Sequence, residues 1–317
     1  MEMDRNKRTY SRECPKKVKL FGKEIDNKDD YDEILFETIS PKPKLIEINS
    51  PKKHETSQQA TSPQCSPFRL PEVDRNSQDS LDWGRMLNDT VVEFYMNYLL
   101  ARFPPNIREN VHLFNTFFYN KILKLPQLSE TEINDSVRRW DKHAKLFDKD
   151  YLVVPICCHH HWLLVIICFA HKLPAHDDPI MLNEPDTRRS SACMIIFDSL
   201  GYKYMSKFSD PIRNFLEARW QFERPNAEKR NFKDRTLFKD FSARVPKQRN
   251  SYDCGVHLLN SFERFFANPL LYYTRIRADK DLSIDWSVDT KQKRLSIRSL
   301  FINTSPRVPW KTSLLRQ

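Results

Sequence analysis

Large apolar residues recur at helical spacing through Leu87-Asn88-Asp89-Thr90-Val91-Val92-Glu93-Phe94-Tyr95-Met96-Asn97-Tyr98-Leu99-Leu100, which predicts a helix ended by Pro104-Pro105. Thr90 and Glu93 have the spacing of a capping box at its start. Helical patterns return over Leu113 to Leu123, Glu130 to His143, Asp210 to Phe222 and Gly255 to Phe266. Between them lie short runs rich in β-branched and aromatic residues: Tyr151 to Ile156, His161 to Phe169, Met194 to Asp198 and Phe241 to Val245. Two of these, from His161 and from Met194, are too continuously apolar for a sheet wetted on one side and are expected as central strands. The excursion from His171 to Ala192 is polar and turn-rich, a long connection of the kind that is usually functional or disordered. The expected fold is α+β, a helical part from about residue 82 to 143 packed beside a short central mixed sheet.

No such period runs through residues 1–80, which carry Ser40-Pro41, Ser50-Pro51, Ser62-Pro63 and Ser66-Pro67. They are expected to be disordered, because too little apolar surface is available to offset chain entropy. Residues 81–317 are expected to form one folded domain. Pro15-Lys16-Lys17-Val18-Lys19 has the form of a nuclear import signal. Leu45-Ile46-Glu47-Ile48 is an isolated β-favouring tetrad suited to adding a strand to a partner's sheet edge.

The net charge of +10 belongs to the folded part: residues 1–80 hold 15 basic and 15 acidic residues, leaving 37 and 27 for the rest. Such an excess favours an acidic partner surface by electrostatic steering. Nucleic acid would fit the charge too, but no recognisable reading motif accompanies it, so none is expected as a partner. Seven cysteines without a Cys-x-x-Cys pair, signal peptide or membrane-length apolar run suggest free thiols in a reducing compartment. Four glycines in the chain leave no phosphate loop or dinucleotide fingerprint.

Two of those four, Gly201 and Gly255, flank the candidate chemistry. Cys254 stands where the last predicted helix begins, and free N–H groups and the partial positive charge there favour a thiolate. Thiol-based amide hydrolysis also needs an imidazole, a group that orients it and donors for the oxyanion. His161, Asp198 at the end of an apolar strand, Gln248 and the Cys254 N–H are the candidates, with Gly255 leaving room for substrate backbone. Cys157-Cys158-His159-His160-His161 is dense in metal-binding side chains, but strand alternation would split them between two faces, so no metal is expected.

Leu87-Asn88-Asp89, His161-Trp162, Phe197-Asp198-Ser199-Leu200 and Gln248 with Asp253-Cys254-Gly255 resemble, in order, the motifs of the ubiquitin-like-protein proteases that remove SUMO. The resemblance covers residues 82 to about 268 and implies a papain-like α+β fold. It places the triad on His161, Asp198 and Cys254 and the oxyanion glutamine on Gln248. Trp162 matches one wall of the tunnel that takes the C-terminal Gly-Gly of SUMO, and Met86 occupies the other wall, where the family usually has Trp or Phe. Asp89 matches the acidic residue that meets a basic residue of SUMO. The long excursion after His161, together with Val245-Pro246-Lys247-Gln248, is most similar to the branch that trims poly-SUMO chains. Implied with these are SUMO and SUMO-conjugated proteins as partners, no cofactor, a monomer, and action in the nucleus. The alternatives are a protease for ubiquitin or another ubiquitin-like protein, and a non-catalytic SUMO- or nucleic-acid-binding protein.

Overall fold

A computed structural model of the chain describes residues 17–20, 23–26, 74–125, 130–139, 144–175, 191–201, 206–281 and 284–304. The chain divides into two units, Met1–Gln64 and Cys65–Gln317. In the first, strand β1 (Lys17–Leu20) pairs antiparallel with β2 (Lys23–Asp26). Lys17, Val18 and Lys19 of the expected import signal thus lie in a strand of this hairpin, and Pro15 and Lys16 lie outside the described residues. Leu45-Ile46-Glu47-Ile48, the Ser-Pro pairs and residues 176–190 of the excursion lie outside the described residues.

The second unit opens with α1 (Arg75–Ser80), capped by the Asp74 carboxylate, which accepts from the Ser77 N–H. This helix lies within the stretch up to residue 80 that was expected to be disordered. Next come α2 (Asp89–Arg102), α3 (Pro105–Arg108), β3 (Val111–Leu113), α4 (Phe118–Ile122) and α5 (Glu130–Arg139). They are followed by β4 (Tyr151–Cys158), β5 (His161–Cys168), β6 (Cys193–Phe197), α6 (Ser206–Glu223), β7 (Lys239–Ser242), α7 (Cys254–Ala267), α8 (Pro269–Arg277) and α9 (Thr290–Thr304). No helix among the described residues is long and apolar enough to cross a membrane.

Strands β3 to β7 form one sheet in sequence order. β5 pairs antiparallel with β4 and β6, while β3 runs parallel to β4 and β7 parallel to β6. All eight residues of β5 and all five of β6 are buried, as expected of central strands. Alternate residues Trp162, Leu164, Ile166 and Cys168 face a core shared with Val91, Phe94 and Met96 of α2, Leu258, Phe262 and Phe265 of α7, and Ile297 and Phe301 of α9. Leu163, Val165 and Ile167, also buried, point to the opposite face.

Tertiary pairing changed several expected boundaries. Val111–Leu113 joins the sheet against Tyr151–Val153, so the helix foreseen from Leu113 is confined to Phe118–Ile122. Phe114 then stacks on Phe118 with ring centroids 3.8 Å apart, and Phe118 meets Phe215 of α6 edge-on. α6 starts at Ser206, before the expected Asp210, and carries Pro211 inside it. Proline has no N–H for the Lys207 carbonyl one turn back, and that carbonyl accepts from Tyr119 Oη at 3.5 Å. β7 lies at Lys239–Ser242 rather than Phe241–Val245. Helices α8 and α9 follow the last element foreseen.

The start of α2 also differs from expectation. Asn88, not Thr90, is the cap: its Oδ1 accepts from the Val91 N–H at 3.0 Å, and its Nδ2 donates to Ser77 Oγ at 3.0 Å. Glu93 reaches away from its own helix and accepts from the N–H and hydroxyl of Thr116 at 2.8 and 3.0 Å. Asn88→Ala removes the cap and the tie to α1, and is expected to cost about 1 kcal/mol. A thermal midpoint lowered by about 2–4 °C is the corresponding readout.

Candidate active site

The antiparallel β5–β6 ladder sets the start of β5 beside the end of β6, because Leu164 is paired with Phe197. The residue opening β5 is His161, and the residue just past β6 is Asp198. His161 Nε2 donates to Asp198 Oδ1 at 2.6 Å, and the same oxygen accepts the Leu200 N–H at 2.9 Å. Both side chains are buried, each residue 4% exposed. With Nε2 committed to the carboxylate, Nδ1 is the nitrogen left for Cys254. Burial by itself would lower the His161 pKa, but hydrogen bonds to Asp198 and Cys254, and the negative charge on both, raise it to about 9.

Cys254 is the first residue of α7 and is 1% exposed. Asp253 precedes the helix but makes no side-chain cap to it. Its Oδ2 accepts from Asn250 Nδ2 at 2.9 Å and its Oδ1 from Arg294 Nη2 at 2.8 Å. The N–H groups in the first turn of this 14-residue helix are therefore not claimed by that carboxylate, which suits them to a thiolate or an oxyanion. Burial tends to raise the Asp253 pKa, but hydrogen bonds from Asn250, Arg294 and Thr290 outweigh it and hold the group below the ordinary aspartate value.

Gln248 is wired to the strand that delivers Asp198. Its N–H donates to the Ser199 carbonyl at 3.0 Å, and its Oε1 accepts from Ser199 Oγ at 2.6 Å. The Asn250 carbonyl, which can only accept, fixes which end of the amide carries the hydrogens: Nε2 donates to it at 2.6 Å and keeps a second hydrogen. Asn250 Oδ1 in turn accepts from the N–H groups of Tyr252 and Asp253 at 3.1 and 2.9 Å, folding the loop just before the nucleophile.

The proposed walls share one apolar cluster. Trp162 is buried and its Nε1 donates to the Leu87 carbonyl at 2.9 Å, while Met86 is partly buried against the same cluster. Asp89 sits in the first turn of α2. Its charge and that of Cys254 both act on Cys157 of β4, whose thiol is pushed up to about 12, chiefly by burial.

Two local expectations are corrected. Gly255 does not leave space for substrate: a Cβ added there would stand 3.0 Å from Leu87 Cβ and 3.2 Å from its Cδ1, so the glycine lets α7 close onto the segment that carries Met86. Strand alternation does not continue through Cys157 to His161 either, because His159 and His160 form a two-residue turn with φ of 49° and 61°.

Four residues that shape the site were not foreseen in that role. Ser199 and Asn250 lie in or next to the quoted motifs, where their hydrogen-bonding side chains were the available signal. His257, one turn after Cys254, has its pKa lowered by burial and by the His161 charge, against Asp253, which raises it. Arg294 comes from α9, beyond the stretch that carries the resemblance, and nothing local in the sequence marks it.

The profile described as the Ulp1 protease family, C-terminal catalytic domain, matches residues 85–286. The chain is similar to the sentrin-specific protease 7 of Rattus norvegicus, 29% identical over 254 residues, covering 63% of this chain and 24% of that protein. It is 32% identical over 209 residues to the ubiquitin-like-specific protease 2 of Schizosaccharomyces pombe, covering 60% and 32% respectively. The chain thus spans a third or less of the length of these two relatives. A crystal structure of a de-sumoylating protease shares the fold, with a TM-score of 0.54 and 24% identity over 73% of this chain and 87% of that one.

Two outcomes follow from this geometry. Protonated His161 favours the folded site, and since its pKa is raised from 6.5 to about 9, that contribution is complete below pH 6.5 and fades as pH climbs through 9. The alkaline limb of kcat/KM is expected near pH 9, and Asp198→Asn should move it to lower pH, as a pH–rate profile would record. Gly255→Ala should push Leu87 away from α7 and cost about 1–3 kcal/mol by overpacking, visible as a lowered urea midpoint.

Proposed function

Because the chain belongs to the Ulp1 protease family, we propose that it is a cysteine isopeptidase that cleaves after the C-terminal Gly-Gly of SUMO, deconjugating SUMO or trimming SUMO chains. The observation that carries this reading is His161 held at 2.6 Å by Asp198 and coupled to Cys254 at the head of a buried helix. The names of the relatives, which include sentrin-specific and ubiquitin-like-specific proteases, support the substrate class.

In this reading the Cys254 thiolate attacks the carbonyl carbon of the terminal glycine while His161 keeps its proton on Nδ1. The tetrahedral oxyanion receives hydrogen bonds from the Cys254 N–H and the second Nε2 hydrogen of Gln248. As the C–N bond breaks, His161 passes its proton to the departing lysine nitrogen, leaving a thioester on Cys254. The neutral imidazole then takes a proton from water, whose oxygen attacks the thioester; collapse expels the thiolate and frees the SUMO carboxylate. Asp198 keeps the ring oriented and stabilises its cationic form. Met86 and Trp162 wall the path of the Gly-Gly backbone, and Asp89 meets a basic residue of SUMO. Partners are SUMO and its conjugates, and the basic run Pro15-Lys16-Lys17-Val18-Lys19 supports action in the nucleus.

C-terminal electrophile probes built on SUMO, ubiquitin and other ubiquitin-like proteins test this directly. Covalent capture of the SUMO probe is expected in preference to the others, with the adduct on Cys254. Cys254→Ser should reduce turnover to below about one per cent while leaving SUMO binding intact, because a serine hydroxyl is a poor nucleophile at neutral pH. Preferential capture of ubiquitin, or turnover that survives Cys254→Ser, would overturn the assignment.

A further inference from the structure

We propose that Arg294, on α9, is a positioning residue for the nucleophile, clamping the loop before Cys254 to the segment that carries the Met86 wall. The guanidinium is buried, with the residue 3% exposed, and all three of its nitrogens are engaged. Nε and Nη2 donate to Asp253 Oδ1 at 3.2 and 2.8 Å, and Nη2 also donates to the Tyr252 carbonyl at 3.1 Å. Its other contacts go to a second stretch of chain: Nη1 reaches the carbonyls of Ser80 and Asp82 at 3.1 and 3.3 Å, and Nη2, whose two hydrogens are shared among three acceptors, reaches that of Arg85 at 2.8 Å. One stretch runs directly into Asp253-Cys254 and the other into Met86-Leu87. The two stretches also meet directly, where Trp83 and Tyr252 pack edge-on with ring centroids 5.6 Å apart.

This arrangement has two separable effects. The first is geometric: the planar fork sets the distance between the nucleophile loop and the chain whose Leu87 carbonyl anchors Trp162, and a lysine cannot reproduce it because its donors radiate from a single nitrogen. The second is electrostatic. Asp253 is anionic, buried, and adjacent in sequence to Cys254, so without Arg294 its charge would oppose a thiolate there. Cys254 also interacts with His161 from β5 and Cys157 of β4, and Asp253 with His257 of α7 itself, while Asp198 after β6 and Asp89 of α2 act one step away, on His161 and Cys157. Among the groups from elements packed on α7, Arg294 is the cation whose hydrogen bonds bind the Asp253 carboxylate.

The role in turnover rests on the isopeptidase reading, whereas the effect on Cys254 does not, so two readouts are needed. Alkylation of Cys254 by iodoacetamide, followed on its peptide by mass spectrometry across pH, reports the thiol without any SUMO. Steady-state cleavage of a SUMO substrate reports turnover. In Arg294→Met the acid limb of alkylation is expected to move up by about one pH unit, with kcat lowered tenfold or more. Adding Asp253→Asn should return the limb to its wild-type position without restoring kcat. Arg294→Lys should leave the limb in place and still lower kcat about tenfold, with a smaller change in KM. A limb unmoved in Arg294→Met, or wild-type kcat in Arg294→Lys, would overturn the proposal. If Arg294→Met fails to fold, the lysine variant's split between limb and kcat decides. Wild-type protein inert towards SUMO, with the alkylation shifts intact, would refute the isopeptidase reading and leave the electrostatic effect of Arg294 standing.

Discussion

The pairing of β5 with β6 is the constraint on which the site depends. An antiparallel ladder brings the first residue of one strand near the last residue of the next, so His161 and Asp198 meet although a long excursion separates them in sequence. Helices on both sides of the sheet bury these strands and remove water from the dyad. Since the excursion leaves and rejoins the ladder at its far end, from Cys168 to Cys193, its length does not disturb the dyad. α7 then lies across β5 and brings Cys254 to the same corner.

Charged groups buried in such an environment are tolerated only when compensated, and both carboxylates at this site have specific partners. Asp198 accepts from His161 and from a backbone N–H. Asp253 is met by Asn250 and Arg294. Gln248, neutral but buried, is bonded at both ends of its amide. A site connected in this way is organised before substrate arrives, so binding need not be accompanied by reordering of the catalytic groups.

Much of this was legible in the sequence because the relevant signals are local. The continuous apolar runs marked β5 and β6 as central, and Cys254 at the head of an apolar period marked α7. Where the reading failed, the deciding partner lay far along the chain. Thr90 and Glu93 fit a capping box, but Asn88 could also bond Ser77, and Glu93 had Thr116 to satisfy. Val111–Leu113 became a strand only because Tyr151–Val153 offered a free edge. Gly255 looked like room for substrate, when the nearest neighbour was Leu87. Arg294 serves five carbonyl and carboxylate acceptors that no spacing rule connects to it.

The turn between β4 and β5 has a consequence for the orientation of the catalytic histidine. Cys158 and His161 are opposite one another, and the two residues between them both take left-handed backbone angles, a type I′ geometry usually given to Asn-Gly. Two histidines in that geometry carry a conformational cost of about 1–2 kcal/mol each, which the surrounding ladder must hold in place. Because side chains alternate along a strand, one residue more or less in the turn would shift the register and rotate His161 to the opposite side of the sheet, exchanging it with Trp162. The length of this hairpin loop therefore decides whether an imidazole or an indole faces Asp198, and the pairing of β4 with β5 acts as a parity check on the active site.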